Sequence, residues 1–167
     1  MPVSPAGLAK LQKAPFTAKT VYVSPLCRAR QTAEALFPAA QQIAVQDLRE
    51  RCFGEAEGTP FMDLSACVAD EISRRFRGVE EKPAFVSRTN AAFAQLVDAA
   101  LLRGDDTLVI VAHGGTQMAV LHTYAQPPRA ETAWCGKNGG GFLLSVSADE
   151  WQRTHTLCLV QEVCYAQ

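Results

Sequence analysis

Short apolar runs along the chain alternate with stretches in which apolar residues recur at helical spacing. The runs TVYVS (20–24) and TLVIVA (107–112) are rich in β-branched residues and predict strands, and a shorter strand is predicted at 43–45. Two late strands are predicted at 141–147 and 154–163, with a turn between them. The 107–112 run is almost entirely apolar, which is typical of a strand buried on both faces of a parallel sheet.

The segments between these strands predict helices. Ser4 and Pro5 suit the cap and the first turn of a short helix over 4–12. Longer helices are predicted over 26–37, 61–76, 84–102 and 116–124. Because strands alternate with helices, the pattern predicts an α/β fold in which a mostly parallel sheet carries helices on both faces.

Composition narrows the class of protein. The 167 residues are 48% hydrophobic and 20% charged, which fits one folded domain over 1–167. The net charge of −1 provides no basic surface for nucleic acid, and no apolar run is long enough to span a membrane. The amino terminus lacks a signal-peptide pattern, so we expect a cytoplasmic protein.

The cysteines point neither to a metal site nor to a disulfide framework. They are Cys27, Cys52, Cys67, Cys135, Cys158 and Cys164. Their spacing contains no C-x-x-C pair and no nearby histidine at ligand distance, and a chain of this size does not need disulfides to fold. We therefore expect reduced thiols and no bound metal.

Two polar residues directly follow predicted strands. Ser24 ends the 20–24 run, and His113 comes after the 107–112 run. Ligands of open α/β sheets bind beyond the carboxyl ends of strands, so we expect both residues to face one crevice. Arg28 lies one turn into the next helix, and helix amino termini at this edge would also favour an anion, most naturally a phosphate. A turn histidine satisfied by the backbone is the competing interpretation of His113.

Three segments carry a family resemblance. They are SPLCRARQTAEALF (24–37), LRERCFGEAEG (48–58) and IVAHGGTQMAVL (110–121). In this order they are similar to the SPLxRARQTAE segment, the LxExxFGxxEG loop and the second histidine motif of the histidine phosphatase superfamily, also called the phosphoglycerate mutase-like family. The resemblance extends over most of residues 3–125 and implies a phosphoglycerate mutase-like fold.

The resemblance implies roles for four residues. Arg28, His113 and Gly114 would bind the phosphoryl group, and His113 would also stabilise its developing charge. Glu50 would be the carboxylic acid that protonates the leaving oxygen. Phosphoryl transfer needs such fixed positive groups and such an acid. The family chemistry implies no metal and no cofactor, and the expected partner is a small phosphorylated molecule or inorganic phosphate.

One motif of the family has no counterpart in this sequence. The family nucleophile is a histidine in an Arg-His-Gly triplet that ends its first strand, and the sequence contains no such triplet. His122 and His155 are interpreted as structural or surface residues. We therefore expect the first family strand to be missing, either because the start codon lies upstream or because the chain is a degenerate member. Loss of an interior strand predicts exposed apolar surface or an unpaired sheet edge, and it favours a homodimer.

Motif spacing favours a compact phosphatase of this family. Only about 50 residues separate the FGEAEG loop from the HG strand, which leaves no room for the large insertions of the glycolytic mutases. The segment GVEEKPAFVSRTNAAF (78–93) is loosely similar to the GGES-x-x-F-x-x-R segment of such phosphatases. Glu80, Phe85 and Arg88 are in rough register with it.

Three functions stay open at this point. The first is a phosphomonoesterase that works through a phosphohistidine on a small phosphorylated metabolite, impaired here because the nucleophile is absent. The second is a catalytically inactive member that binds phosphorylated ligands through Arg28 and His113. The third is an unrelated nucleotide-binding α/β domain in which AHGGTQ (112–117) is a phosphate turn, although neither a G-x-G-x-x-G nor a P-loop pattern is present.

Overall fold

The computed structural model describes residues 1–59 and 69–167. The strands described are β1 (Thr20–Val23), β2 (Gln41–Ala44), β3 (Ile110–Val111), β4 (Ala125–Gln126), β5 (Gly140–Ser145) and β6 (Leu157–Cys164). The helices described are α1 (Pro5–Lys10), α2 (Cys27–Leu36), α3 (Ala69–Arg75), α4 (Lys82–Arg103), α5 (Gly114–Tyr124) and α6 (Ala148–Thr154). Strands and helices alternate over most of the chain, as the hydrophobic pattern predicts.

The strands form two three-stranded sheets. In the first sheet, β1 lies between β2 and β3 and is parallel to both. In the second sheet, β6 lies between β4 and β5, parallel to β4 and antiparallel to β5. Parallel pairs thus outnumber antiparallel ones, and the predicted α/β fold with a mostly parallel sheet is confirmed. The strands expected at 20–24 and 107–112 pair in parallel, with Tyr22 opposite Ile110.

Helices reach both faces of the first sheet, α2 by packing and the end of α4 through one side-chain hydrogen bond. Val21 and Val23 point to one face, where they are fully buried and pack against Ala33 of α2. Tyr22 points to the other face, where its hydroxyl accepts a hydrogen bond of 3.1 Å from Arg103 at the end of α4. The alternation of β1 side chains therefore places α2 and the end of α4 on opposite sides.

The third strand is shorter and more exposed than the sequence predicts. Only Ile110 and Val111 of the 107–112 run form the strand, and both are half-buried. β3 pairs with β1 along one edge, and no strand of the described part of the chain pairs with its other edge. A strand with one neighbour leaves part of its surface open, which explains why the prediction of burial on both faces is wrong. The open edge agrees with the expected unpaired sheet edge.

The late part of the chain contains a helix that the sequence pattern missed. α6 stands where a turn is predicted between the last two strands. The Ser147 hydroxyl caps its first turn by accepting from the Glu150 amide at 3.5 Å. His155 does not open a strand as predicted, since it ends α6 in the left-handed conformation, with φ at 52°. Strand β6 accordingly begins only at Leu157.

Most other boundaries differ from the predicted ones by one to three residues. β2 begins two residues early, and α5 begins at Gly114 rather than at residue 116. The helix over 84–102 is confirmed and extends to Arg103, where Gly104 ends it with φ at 71°. The helix expected over 61–76 falls partly outside the described residues, which show it from Ala69 as α3.

The sequence also predicts reduced cysteines and no segment that spans a membrane. The five described cysteines are free thiols, as predicted, whereas Cys67 lies outside the described residues. None of the described helices is both long enough and apolar enough to cross a membrane.

Candidate functional site

The site lies where the parallel strands β1 and β3 end. Ser24 follows β1, and the chain after β3 reaches His113. The Oγ atom of Ser24 lies 2.6 Å from Nε2 of His113. Ser24 is fully buried and His113 is half-buried, so the histidine forms part of the surface at this end of the sheet.

His113 lies in surroundings that favour its neutral form. Burial, and next the positive charge of Arg28, lower the pKa of His113 from its ordinary value of 6.5 to about 4. At neutral pH the imidazole is therefore uncharged, with one ring nitrogen able to donate a hydrogen bond and the other able to accept one. The charge of Arg28 thus acts on the histidine from the first turn of α2.

Arg28 has no acidic partner in the described residues. It is the second residue of α2 and is half-buried, and its side chain makes no hydrogen bond or ion pair with them. The backbone N–H groups of Cys27, Arg28 and Gly114 also donate to no described acceptor. These groups belong to the first turns of α2 and α5, which carry partial positive charge. The edge of the sheet therefore offers unused donors suited to an anion.

Glu50 reaches the same edge from the loop after β2. Its Oε2 accepts the N–H of Gly115 at 3.0 Å, and its Oε1 accepts the N–H of Arg51 at 2.9 Å. A Cβ atom at position 115 would overlap the carboxylate of Glu50, so glycine is required for this close approach. The carboxylate is thereby held against the first turn of α5, two residues after His113.

A second arginine, Arg88 of α4, fixes the loop that carries Glu50. Its Nε and Nη2 atoms donate to the two carboxylate oxygens of Glu80 at 2.6 and 2.7 Å. Nη1 donates to the carbonyls of Asp47 and Arg49 at 2.7 and 3.0 Å, and Nη2 donates to the carbonyl of Glu50 at 3.3 Å. The hydrogen bonds from the guanidinium hold the pKa of Glu80 below its usual value.

The loosely matched segment at 78–93 contributes three residues to this cluster. Glu80 and Arg88 form the ion pair, and the guanidinium carbon of Arg88 lies 5.0 Å from the centre of the buried Phe85 ring. The resemblance thus identified residues that meet in the fold, although it assigned them no role. The bonds from Arg88 to the carbonyls of the Glu50 loop cross about forty positions of sequence, which no local pattern reveals.

The residues predicted for the site converge, and the other histidines do not join them. Arg28, Glu50, His113 and Gly114 all lie at the carboxyl edge of the first sheet. His122 is nine residues further along α5, about 13 Å by helical rise, and its Nδ1 lies 3.3 Å from the carbonyl oxygen of Arg129. His155 lies beside the Trp151 ring, with 4.9 Å between ring centres.

Other features of the described residues give no second candidate. No group of three or more His, Cys, Asp or Glu side chains in residues 1–59 and 69–167 is placed to hold a metal ion. A shallow groove of about 530 Å³ lies along α2, lined in part by Pro25, Cys27, Arg30 and Gln42. Its lining includes neither His113 nor Glu50, so we do not assign it to the site.

Three solved structures illustrate the likeness of this fold to known proteins. A candidate alpha-ribazole-5'-P phosphatase from Escherichia coli is 18% identical, with a TM-score of 0.72 over 99% of this chain and 85% of that one. A mycobacterial glucosyl-3-phosphoglycerate phosphatase, in complex with inorganic phosphate, is 22% identical, with a TM-score of 0.62 over 89% and 77%. A phosphoglycerate mutase from Bacillus anthracis is 19% identical, with a TM-score of 0.57 over 72% and 67%. At these identities the likeness concerns the fold.

Comparison by sequence gives the family. No curated protein sequence matches the chain significantly. The family model of the histidine phosphatase superfamily (branch 1), however, matches residues 6–156, which include both strand ends and the Glu50 loop. That match covers most of the chain and agrees with the three motifs and with the fold. The chain therefore belongs to the histidine phosphatase superfamily, branch 1.

Proposed function

We propose that the site binds the phosphoryl group of a small phosphate monoester and serves phosphomonoester hydrolysis of the phosphohistidine type. The observation that carries this proposal is the Arg28 guanidinium, without an acidic partner in the described residues, beside the neutral His113. Family membership supports it as well. Two of the structural relatives are named as phosphatases of alpha-ribazole-5'-P and glucosyl-3-phosphoglycerate, both small phosphate esters, and we propose a substrate of that class.

In this proposal Arg28 and His113 bind the phosphoryl oxygens. The guanidinium donates to two of them, and the imidazole N–H donates to a third. The free N–H of Gly114 adds a further donor at the start of α5. These donors are in place before the substrate arrives, so they stabilise the charge that spreads over the equatorial oxygens in the transition state.

Glu50 supplies the proton for the leaving group. As a bond from the histidine nucleophile of that chemistry to phosphorus forms and the bond between phosphorus and the ester oxygen breaks, the proton passes from the Glu50 carboxyl to that oxygen, which departs as an alcohol. The carboxylate that remains accepts the N–H of Gly115. Substrates with a poor leaving group depend most on this step.

The covalent step needs a second histidine, and neither His122 nor His155 lies at the site. Phosphohistidine chemistry splits hydrolysis into two steps, and a site without the nucleophile loses both. We therefore expect this chain to bind phosphate and to hydrolyse esters only negligibly. A phosphate-binding protein without turnover is the second candidate, and the position of these two histidines is the observation that favours it.

The third interpretation of the sequence, an unrelated nucleotide-binding domain, is wrong. The family match over residues 6–156 includes the AHGGTQ turn on which that interpretation depended. The homodimer stays a prediction, for which the open edge of β3 is the supporting feature.

Hydrolysis measured alongside phosphate binding tests the proposal. The chain as given should bind inorganic phosphate yet turn over p-nitrophenyl phosphate negligibly at mildly acidic to neutral pH. Fusing a strand that ends in Arg-His-Gly ahead of Met1 should raise turnover, and Glu50→Gln in that protein should slow glycerol phosphate more than p-nitrophenyl phosphate, because nitrophenolate leaves without a proton. His113→Ala should slow both esters.

Two results would contradict the proposal. Failure of phosphate to bind the folded chain would reject the assigned phosphoryl site. Fast hydrolysis by the chain as given, abolished by His122→Ala or by His155→Ala, would show that one of these residues is the nucleophile and that its interpretation as a structural residue is wrong.

A further inference from the structure

All five N–H groups of Arg88 donate hydrogen bonds. Together these bonds hold the loop that carries Glu50. Two of them donate to the carboxylate of Glu80, and three donate to backbone carbonyls at positions 47, 49 and 50. The side chains of Arg88 and Glu80 are only 13% and 16% exposed, so water competes little for these bonds. An arginine whose complete donor set is used in this way holds its acceptors in one geometry.

Glu80 extends this hold to the far side of Glu50. Its Oε2 accepts the N–H of Cys52 at 3.2 Å, and its own N–H donates to the carbonyl of Cys52 at 2.8 Å. The backbone is therefore fixed both before and after Glu50. Between these fixed points, the Glu50 side chain extends to the amide of Gly115.

We propose that Arg88, oriented by Glu80, is a positioning residue that sets where the Glu50 carboxylate meets the start of α5. The catalytic meaning of this inference rests on the proposed function, because that function makes Glu50 the proton donor. Proton transfer requires the acid to lie within hydrogen-bond reach of the leaving oxygen. A loop that carried Glu50 without these five bonds would present the carboxyl over a range of positions.

Lysine cannot replace Arg88 in this role. Its ammonium group has three donors on a single nitrogen, whereas the acceptors around Arg88 surround a planar group with three nitrogens. Arg88→Lys therefore keeps the positive charge and loses the geometry. This variant separates positioning from charge, which a change to alanine would not do.

The amide resonance of Gly115 in a two-dimensional 1H–15N NMR spectrum reports the position of Glu50 without any turnover. Glu50→Ala, which has no side-chain acceptor, gives the reference for a lost contact. In Arg88→Lys we expect the Gly115 amide to move from its wild-type position towards that reference. Glu80→Gln should produce a smaller movement in the same direction, because the three carbonyl contacts of Arg88 remain.

A matched control removes another arginine of the same helix. Arg103 pairs with Asp105 at the far end of α4, and Arg103→Lys should leave the Gly115 amide where it is in wild type. Phosphate affinity should stay within about twofold of wild type in Arg88→Lys, since Arg28 and His113 are untouched. A purely structural role would lower the melting temperature of Arg88→Lys but leave the Gly115 amide unmoved.

Unchanged Gly115 resonances in both Arg88→Lys and Glu80→Gln would overturn the inference. If Arg88→Lys does not fold, Glu80→Gln alone decides, and an unmoved Gly115 amide in that variant overturns it equally. Failure of the proposed function would look different. Phosphate would then bind none of the proteins, while the Gly115 amide would still move in the Arg88 variant.

Discussion

Two arginines near the same edge of the sheet differ in what their guanidinium groups contact. Arg88 donates all five of its N–H groups to protein acceptors, among them both carboxylate oxygens of Glu80. Arg28 donates to none of the acceptors in the described residues, and instead its charge depresses the pKa of His113. An arginine satisfied by its own protein stabilises the fold, whereas one with unused donors in a crevice is available to a ligand. This difference separates the part of the site that binds from the part that holds the loop.

The two arginines should differ most in how far their replacement lowers the free energy of unfolding. Arg88→Ala leaves the largely buried Glu80 without its cation and three carbonyls without their donor, which should cost about 3–5 kcal/mol. Arg28→Ala removes no hydrogen bond or ion pair to the described residues and should change stability by at most about 0.5 kcal/mol. Urea unfolding of both variants measures the difference, and equal losses would show that the two arginines are not distinct.

For phosphate affinity, Arg28 should matter more than Arg88. Arg28→Ala should weaken the binding of inorganic phosphate by about 1.5–3 kcal/mol, the value of a charge-assisted contact. Arg30→Ala is the matched control, because Arg30 lies two residues further along α2 and its side chain is exposed. Isothermal titration calorimetry compares the two variants with wild type. Equal weakening by both would mean that general charge, rather than the Arg28 position, attracts the anion.

The Glu50 side of the site can be tested through Gly115. A methyl group at position 115 overlaps the Glu50 carboxylate, so Gly115→Ala should force the carboxylate away and cost about 1–3 kcal/mol of stability. Gly114→Ala is the control, since its added Cβ would meet only the Cys135 sulfur at 3.5 Å, an ordinary contact. Thermal unfolding should show a clear loss for the first variant and a small one for the second. The reverse ranking would contradict the assigned contact.

The acid dependence of stability should be the smallest of these effects. The pKa of His113 is about 4 when folded and 6.5 by its ordinary value, so the unfolded chain binds more protons in this range. Stability should therefore be complete above about pH 6.5 and fall as pH drops towards about 4. The full difference corresponds to about 3 kcal/mol, and solvent at the half-buried ring reduces it to about 1–2 kcal/mol.

Two variants identify which residues cause the loss of stability as the pH falls. His113→Asn should flatten the curve of unfolding free energy between about pH 4 and 6.5. Glu80→Gln should change it only at lower pH, because a carboxylate with a depressed pKa loses its contribution as pH falls below the ordinary value. A curve with the same slope in His113→Asn as in wild type would show that another group titrates there.

Local sequence patterns predicted the strand ends but not the contacts between distant segments. Ser24 and His113 were predictable because an apolar run followed by a polar residue marks a strand end, and parallel strands end together. The exposure of β3 depends on which strands flank it, and the sequence of β3 does not contain that information. Three of the five bonds of Arg88 join segments about forty residues apart, so periodicity alone could not find them.

Two local signals were present but were not used. Ser147, followed by two acidic residues in a first turn, is an ordinary helix start, yet the region was interpreted as a turn between strands. The second glycine after His113 marks a close approach of another group, which in the fold is the Glu50 carboxylate. A glycine at such a position indicates that another group lies directly against the backbone there.

The pKa of His113, followed by NMR of its ring protons with and without inorganic phosphate, tests the phosphoryl site most directly. Without phosphate the pKa should be near 4, because burial and next the charge of Arg28 depress it, and bound phosphate should raise it because the anion offsets the Arg28 part. In Arg28→Ala the pKa should start higher and respond little to phosphate. A pKa of His113 that phosphate leaves unchanged in the wild-type chain would contradict the account, since it would place the anion away from Arg28 and His113.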